Sequence, residues 1–228
     1  MKSRGNRDSF WPSYVDIMTT LFAIMVVLFA VSYSKFRVNE RELEKLAGKY
    51  REIKSIYDMV ENIDSNYFEF NKDYVKHIFK LQVSFQTGCF DIDGQLQEDA
   101  SNPPLADALR EKIIDAGKEI RKTIYDLQRI ESSGQDIKYL VVIEGQASAD
   151  GYDMSDYYNN DVLSYQRALG LRKFWKNNGI DFSTMPRCEL VVSGSGEGGV
   201  PRVAGNEAAN QRFLIHIVPV IGNIKLSQ

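Results

Sequence analysis

Little in this sequence is suited to metal, redox or nucleic-acid chemistry. Its 228 residues hold two cysteines and two histidines. Cys89 and Cys188 lie far apart, neither sits in a C-x-x-C pair, and His77 and His216 are isolated, so no zinc-type spacing exists. Two such cysteines leave two readings open: one disulfide in an extracytoplasmic domain, or two buried free thiols. Positive charge is not in excess either. Lys+Arg number 28 against 31 Asp+Glu, and the net charge of −3 offers no field for a phosphate backbone, which excludes a nucleic-acid partner. No Ser/His/Asp, Cys/His or HExxH pattern is present, so neither an enzyme nor a cofactor is expected. Asp91 and Asp93 sit in a glycine-containing loop, where carboxylates shape turns. Gly194–Gly199 spells G-x-G-x-x-G, but Val200-Pro201 follow where a dinucleotide fold needs a helix.

What is present is a long apolar run at the start. Tyr14 to Tyr33 read YVDIMTTLFAIMVVLFAVSY, one charge in twenty residues. As a helix this run is about 30 Å long, enough to cross a hydrocarbon core. Pro12 suits a first helical turn, and Trp11, Tyr14 and Tyr33 suit the two interfaces. A cleaved signal peptide is the competing reading, with Lys2, Arg4 and Arg7 ahead of the run and Ala30-Val31-Ser32 after it. The run is longer than a usual signal core, and an acid near its start is foreign to one. Lys35 and Arg37 nearly balance the basic tail, yet an N-in, domain-out orientation is expected. Asp16 carries the most information. An ionised acid within a membrane helix costs about 2.5–3.5 kcal/mol, and such a group can alternate between neutral and charged forms. Its place about 7 Å along from Trp11 leaves a hydrated interfacial position as the other reading.

Beyond the run the chain divides into a linker and a domain. The expected boundaries are a tail at 1–10, a membrane helix at 11–34, a helical linker at 35–73 and a folded domain at 74–228. Leu43, Leu46, Tyr50, Ile53, Tyr57 and Val60 make an a/d stripe, with Ile56 and Ile63 widening it. That stripe suits a short parallel coiled coil, or one helix face packed on a globular domain. A break is expected at Asn62–Asn66. Strands are expected at His77–Phe85, Ile137–Glu144 (buried on both faces), Cys188–Ser193 and Arg212–Pro219. Helices are expected from Pro103 to Ile130 and over Asn160–Asn178, the second stopped by Gly179. Strands alternating with helices imply an α/β (α+β) sandwich with a partly parallel sheet.

Two segments resemble known families. Trp11 to Phe22, WPSYVDIMTTLF, resembles the membrane helix of MotB-type stator subunits, with Asp16 at the ion-carrying position and Tyr14, Met18 and Thr19 as its neighbours. The C-terminal half resembles the OmpA-like peptidoglycan-binding domain through Ile143-Glu144-Gly145, Asn160, Leu163-Ser164, Arg167-Ala168, Gly179-Ile180, Gly194, Gly196, Pro201, Asn210 and Arg212. The short tail and this helix are also similar to the ZorB subunits of Zorya anti-phage systems. These resemblances imply an OmpA-like periplasmic domain on a single inner-membrane span, dimerised, with a multi-spanning MotA/ZorA-like partner and a translocated ion, a proton rather than sodium. Tyr14 and Thr19 would border the ion path. Asn160 and Leu163 would line the wall-peptide pocket, and Arg167 would bind a carboxylate of diaminopimelate. One departure stands out. The family carries Gly-His-Thr-Asp after its central strand, whereas this chain has Gly145-Gln146-Ala147-Ser148 and a longer loop to Asn160. Ser148 replaces the acid expected to hold the ligand's ammonium, with Asp150 or Asp153 as candidate substitutes.

Overall fold

An apolar first stretch and a charged second one form a single helix, α1, over Phe10–Glu61. The computed structural model describes residues 10–83, 85, 88–94, 103–130 and 137–221, so the basic tail and the last residues of the expected domain lie outside it. Two compact units divide the chain, the first ending at Ile53 and the second beginning at Lys54. In the first unit α1 is long and apolar enough to cross a membrane, and its large apolar side chains from Trp11 to Val38 are exposed. Trp11 and Tyr14 meet edge-on at 6.5 Å, and Phe29 stacks on Tyr33 at 6.2 Å.

The second unit opens with the last turns of α1. Ile56, Val60 and Ile63 are buried in its core, so this end of the stripe packs on the domain, while Leu43, Leu46 and Tyr50 in the first unit are exposed. The helix ends at Glu61, where the expected break begins. Strands β1 (Phe68–Asn71) and β2 (Lys76–Phe79) follow as an antiparallel pair. β1 lies in the segment expected to be linker. β2 is shorter than the expected strand because both neighbours run out: Phe79 pairs with Phe68 at the start of β1, and β7 starts at Phe213. Side-chain alternation nonetheless continues, with Val83 and Phe85 buried.

Then come α2 (Pro103–Ile130), β3 (Ile137–Gly145), β4 (Asp153–Ser155), β5 (Tyr158–Asn159), α3 (Asn160–Asn177), β6 (Cys188–Gly194) and β7 (Phe213–Ile221). The main sheet has the order β1-β2-β7-β3-β6, with β3 and β6 parallel and the other pairs antiparallel. A parallel neighbour needs a crossover, and α3 supplies it. Along β3, Ile137, Tyr139, Val141 and Ile143 are fully buried, while Lys138 is exposed and Leu140 and Val142 are half-buried. The central strand is thus covered fully on one face, not both.

The core joins that face to α2 and α3 through Ile113, Ile120, Ile124, Leu171, Phe174 and Trp175. Trp175 Nε1 donates to the Ile113 carbonyl at 2.7 Å. Gly117 is what admits the indole, since a Cβ there would lie 2.7 Å from Trp175 Nε1. α3 ends at Asn177 with Asn178 as its cap, and Gly179 follows with φ of 77°, the left-handed geometry that lets the chain turn out of a helix. Both cysteines are free thiols, and burial pushes that of Cys188 up to about 11.

The open sheet face carries a buried ionic group. Lys76 Nζ donates to Glu144 Oε2 at 2.9 Å, and His216 Nε2 meets the same oxygen at 2.6 Å. Burial works to raise the Glu144 carboxyl, but hydrogen bonds from His216, Ser195 and Lys76 outweigh it and hold the group at about 2. Lys76 also donates to the Val200 carbonyl at 3.0 Å, tying the 195–201 loop to the sheet. That loop does not lead into a helix, which disposes of the G-x-G-x-x-G signal.

A polar pocket at the head of helix α3

Residues three and four apart on a helix share a face, and the buried stripe of α3 runs Asn160, Leu163, Ser164, Arg167, Ala168, Leu171, Phe174 and Trp175. Its second half is apolar and belongs to the core. Its first half is polar, at the carboxyl ends of the parallel strands β3 and β6, where open α/β sheets leave a crevice. Close approach here requires glycine. A Cβ at Gly145 would stand 2.1 Å from the Ser164 carbonyl oxygen, and one at Gly194 would stand 2.4 Å from Tyr165 N. Asn159 caps the helix by accepting from Val162 N–H at 2.9 Å, and Ser164 Oγ accepts from Gly196 N–H at 2.9 Å.

Ser148, Asp150, Asn160 and Arg167 come together at this end. Ser148 Oγ donates to Asp150 Oδ2 at 2.9 Å, and Asn160 Nδ2 donates to Asp150 Oδ1 at 3.2 Å. The Tyr152 backbone N–H adds a bond to Asp150 Oδ1 at 3.1 Å. Burial works to raise the Asp150 carboxyl, but the bonds from Ser148, Asn160 and Tyr152 prevail and hold it below the usual carboxylate range. Arg167 is 3 % exposed. Its Nε donates to the Cys89 carbonyl at 3.1 Å, and its guanidinium lies over the Phe85 ring at 4.5 Å. Burial lowers it to about 10, against the pull of Asp150, so it stays cationic at neutral pH.

Two buried atoms in this pocket have no partner among the described residues: Arg167 Nη1 and Asn160 Oδ1. Buried polar groups are normally satisfied, and an unpaired one costs about 1–3 kcal/mol. Here a donor of a cationic group and an amide acceptor stand unpaired beside an ionised acid. Chemically, Arg167 Nη1 can donate to an anion and Asn160 Oδ1 can accept from a donor group. Leu163, 4 % exposed, is buried outside the main core cluster on the same helix turns. Among the described residues Asp153 has no such side-chain bond to the pocket; it lies in β4.

Two supports of the pocket, Gln211 and Glu207, are not marked in the sequence, and two others, Asn210 and Arg212, are. Gln211 Nε2 donates to Ser148 Oγ at 3.1 Å, and Glu207 accepts from Ala149 N–H at 2.8 Å. Asn210, fully buried, accepts from Val203 N–H at 2.8 Å and donates to the Val203 carbonyl at 3.1 Å. Arg212 Nε donates to Gln146 Oε1 at 2.9 Å. The Asn210 and Arg212 of the sequence pattern therefore brace the 200–212 loop rather than line the pocket.

In α1 the Thr19 hydroxyl lies 2.8 Å from the Val15 carbonyl and 3.0 Å from that of Asp16, and Thr20 donates to the Asp16 carbonyl at 2.8 Å. Both hydroxyls thus serve the helix backbone, as they do in apolar surroundings. Asp93, one of the loop acids, pairs with Arg110 at 2.6 Å. Among the described residues no group of three or more His, Cys, Asp or Glu is placed to hold a metal ion.

No protein-family model matches this chain, and no curated protein matches its sequence. Its structure is similar to a MotB-like protein of Desulfovibrio vulgaris (TM-score 0.40, 16% identity, covering 78% of this chain and 94% of that one). It is also similar to the periplasmic domain of Helicobacter pylori MotB (0.33, 15%, covering 50% and 63%). The OmpA-like domain of FopA1 from Francisella tularensis is a further neighbour (0.35, 18%, covering 68% and 82%).

Proposed function

We propose that this chain is a MotB-like stator subunit of an ion-driven motor in a bacterial inner membrane, with its folded unit in the periplasm and bound to peptidoglycan. The observation that carries the motor reading is Asp16 in an otherwise apolar span, within the string WPSYVDIMTTLF that resembles the stator helix. In this reading Asp16 takes up and releases the translocated ion, a proton, with Tyr14 and Thr19 beside the path. A MotA/ZorA-like multi-spanning subunit surrounds a dimer of this chain. A process of the Zorya anti-phage type is favoured over flagellar rotation by the resemblance of this helix.

Wall binding is supported by the pocket. Arg167 Nη1 would take a carboxylate of the diaminopimelate side chain, and Asp150 would take its ammonium in place of the acid that Ser148 displaces. Ser148 then acts as a support, donating to Asp150. Asn160 Oδ1 and Leu163 complete the pocket wall. A static wall tether would use the same pocket, and Asp16 separates the two readings. Asp16→Asn, expressed to the wild-type level in the native membrane, is expected to abolish activity. Full activity in that variant would remove the motor and leave the tether.

A further inference from the structure

Part of the chain between Gln146 and Asn160 folds into the hairpin β4–β5. Its two ends are pocket residues: Asp150 enters it and Asn160 leaves it, clasped by the bond between them. Internal bonds order the tip. Tyr157 N–H donates to Ser155 Oγ at 3.3 Å, and Asn159 Nδ2 donates to the Ser155 and Asp156 carbonyls at 3.2 Å each. Yet this ordered tip holds its large side chains outward: Met154 is 78 %, Tyr157 80 % and Tyr158 64 % exposed. Isolated exposed apolar residues are ordinary, but three within five positions on a hairpin clasped to a pocket form a contact surface.

The chemistry of the tip selects its occupant. Residues 146–159 contain Asp150, Asp153 and Asp156 and no Lys or Arg, which opposes an anionic lipid surface or a phosphate. A tyrosine offers a flat apolar face and a hydroxyl. The apolar C–H face of a pyranose stacks on such a ring, and Asp, Ser and Asn side chains bond its hydroxyl and acetamido groups. Reach agrees with this. Two amino acids and a lactyl ether separate diaminopimelate from the wall sugar, about 10 Å when extended. The three residues of β4 give this arm of the hairpin a length of about 10 Å.

We propose that Tyr157 and Tyr158, with Met154, form a second subsite that binds the amino-sugar backbone of the wall while the pocket holds its peptide. This rests on the wall-binding reading above and adds a separate ligand contact to it. The test uses the full chain in detergent or nanodiscs, titrated calorimetrically with a disaccharide-tripeptide muropeptide and with the matching free tripeptide. Wild type is expected to bind the disaccharide form about tenfold more tightly, as one or two aromatic contacts provide. Y157A/Y158A is expected to bring that ratio to about one while leaving affinity for the free tripeptide unchanged, which also reports an intact fold. Equal affinity of wild type for both ligands would overturn the subsite and leave the peptide pocket standing, as would an unchanged tenfold ratio in the double variant. Binding of neither ligand by wild type would overturn the wall reading and the subsite with it.

Discussion

Arg167 offers the sharpest quantitative test of the pocket. Its guanidinium is buried, fixed through Nε to the Cys89 carbonyl and stacked on Phe85, with Nη1 unpaired. A carboxylate reaching Nη1 makes a charge-assisted bond worth about 1.5–3 kcal/mol. Arg167→Ala should therefore weaken binding of a diaminopimelate tripeptide by roughly 10- to 150-fold. It also leaves the Cys89 carbonyl without that donor, at a cost to the fold of about 1–3 kcal/mol. Arg167→Lys separates the two effects. It keeps a cation but not the planar fork, so it should recover part of the stability and little of the affinity. Calorimetric titration of the full-length protein supplies the dissociation constants, and urea denaturation supplies the stability. Wild-type affinity in Arg167→Ala, with the protein folded, would refute the assignment.

Three further outcomes follow from the same geometry. Glu144 falls from 4.5 to about 2 on folding, equivalent to about 3 kcal/mol, present above pH 4.5 and lost as pH falls through about 2. Glu144→Gln should remove most of that acid dependence and destabilise the protein at neutral pH, read by denaturant titration at several pH values. His77 is buried, its Nε2 2.7 Å from the Val60 carbonyl and its Nδ1 without a partner among the described residues, and burial lowers its pKa from 6.5. The charged groups acting on it are His216, which adds to the lowering, and Glu61, which opposes it. The unfolded chain then binds the proton more readily, so stability is full above 6.5 and declines as pH falls below it. A melting temperature flat from pH 7.5 to 5, compared with His77→Phe, would contradict this. Trp175→Ala should cost about 3–5 kcal/mol, since it empties a fully buried site and removes the indole bond to the Ile113 carbonyl.

Long, strongly patterned segments were legible in the sequence, and short or cross-chain features were not. The two domain helices and strands β3, β6 and β7 stand within a residue or two of their expected bounds, because periodicity and turn residues mark them. β1 escaped because Phe68–Asn71 is too short for alternation to register. β2 was overdrawn because the chain beyond Phe79 keeps alternating its burial after both partner strands have ended. The β4–β5 hairpin escaped because its Asp, Ser, Tyr and Asn composition reads as loop. Within the pocket, Asn160, Leu163 and Arg167 were legible through the resemblance to the OmpA-like pattern, and they share one buried helix face. That Asp150 rather than Asp153 meets Asn160 depends on the path of the hairpin, and the support from Glu207 and Gln211 depends on contacts some sixty residues apart in sequence.

The most direct test of the stator account is its partner. The tagged full-length protein would be purified from its native membrane in mild detergent, and everything retained would be identified and quantified by mass spectrometry. The account predicts a stable multi-spanning membrane protein in excess over this chain. A clean dimer of this chain with no membrane partner would contradict it, leaving a passive wall tether and an Asp16 without a role in transport.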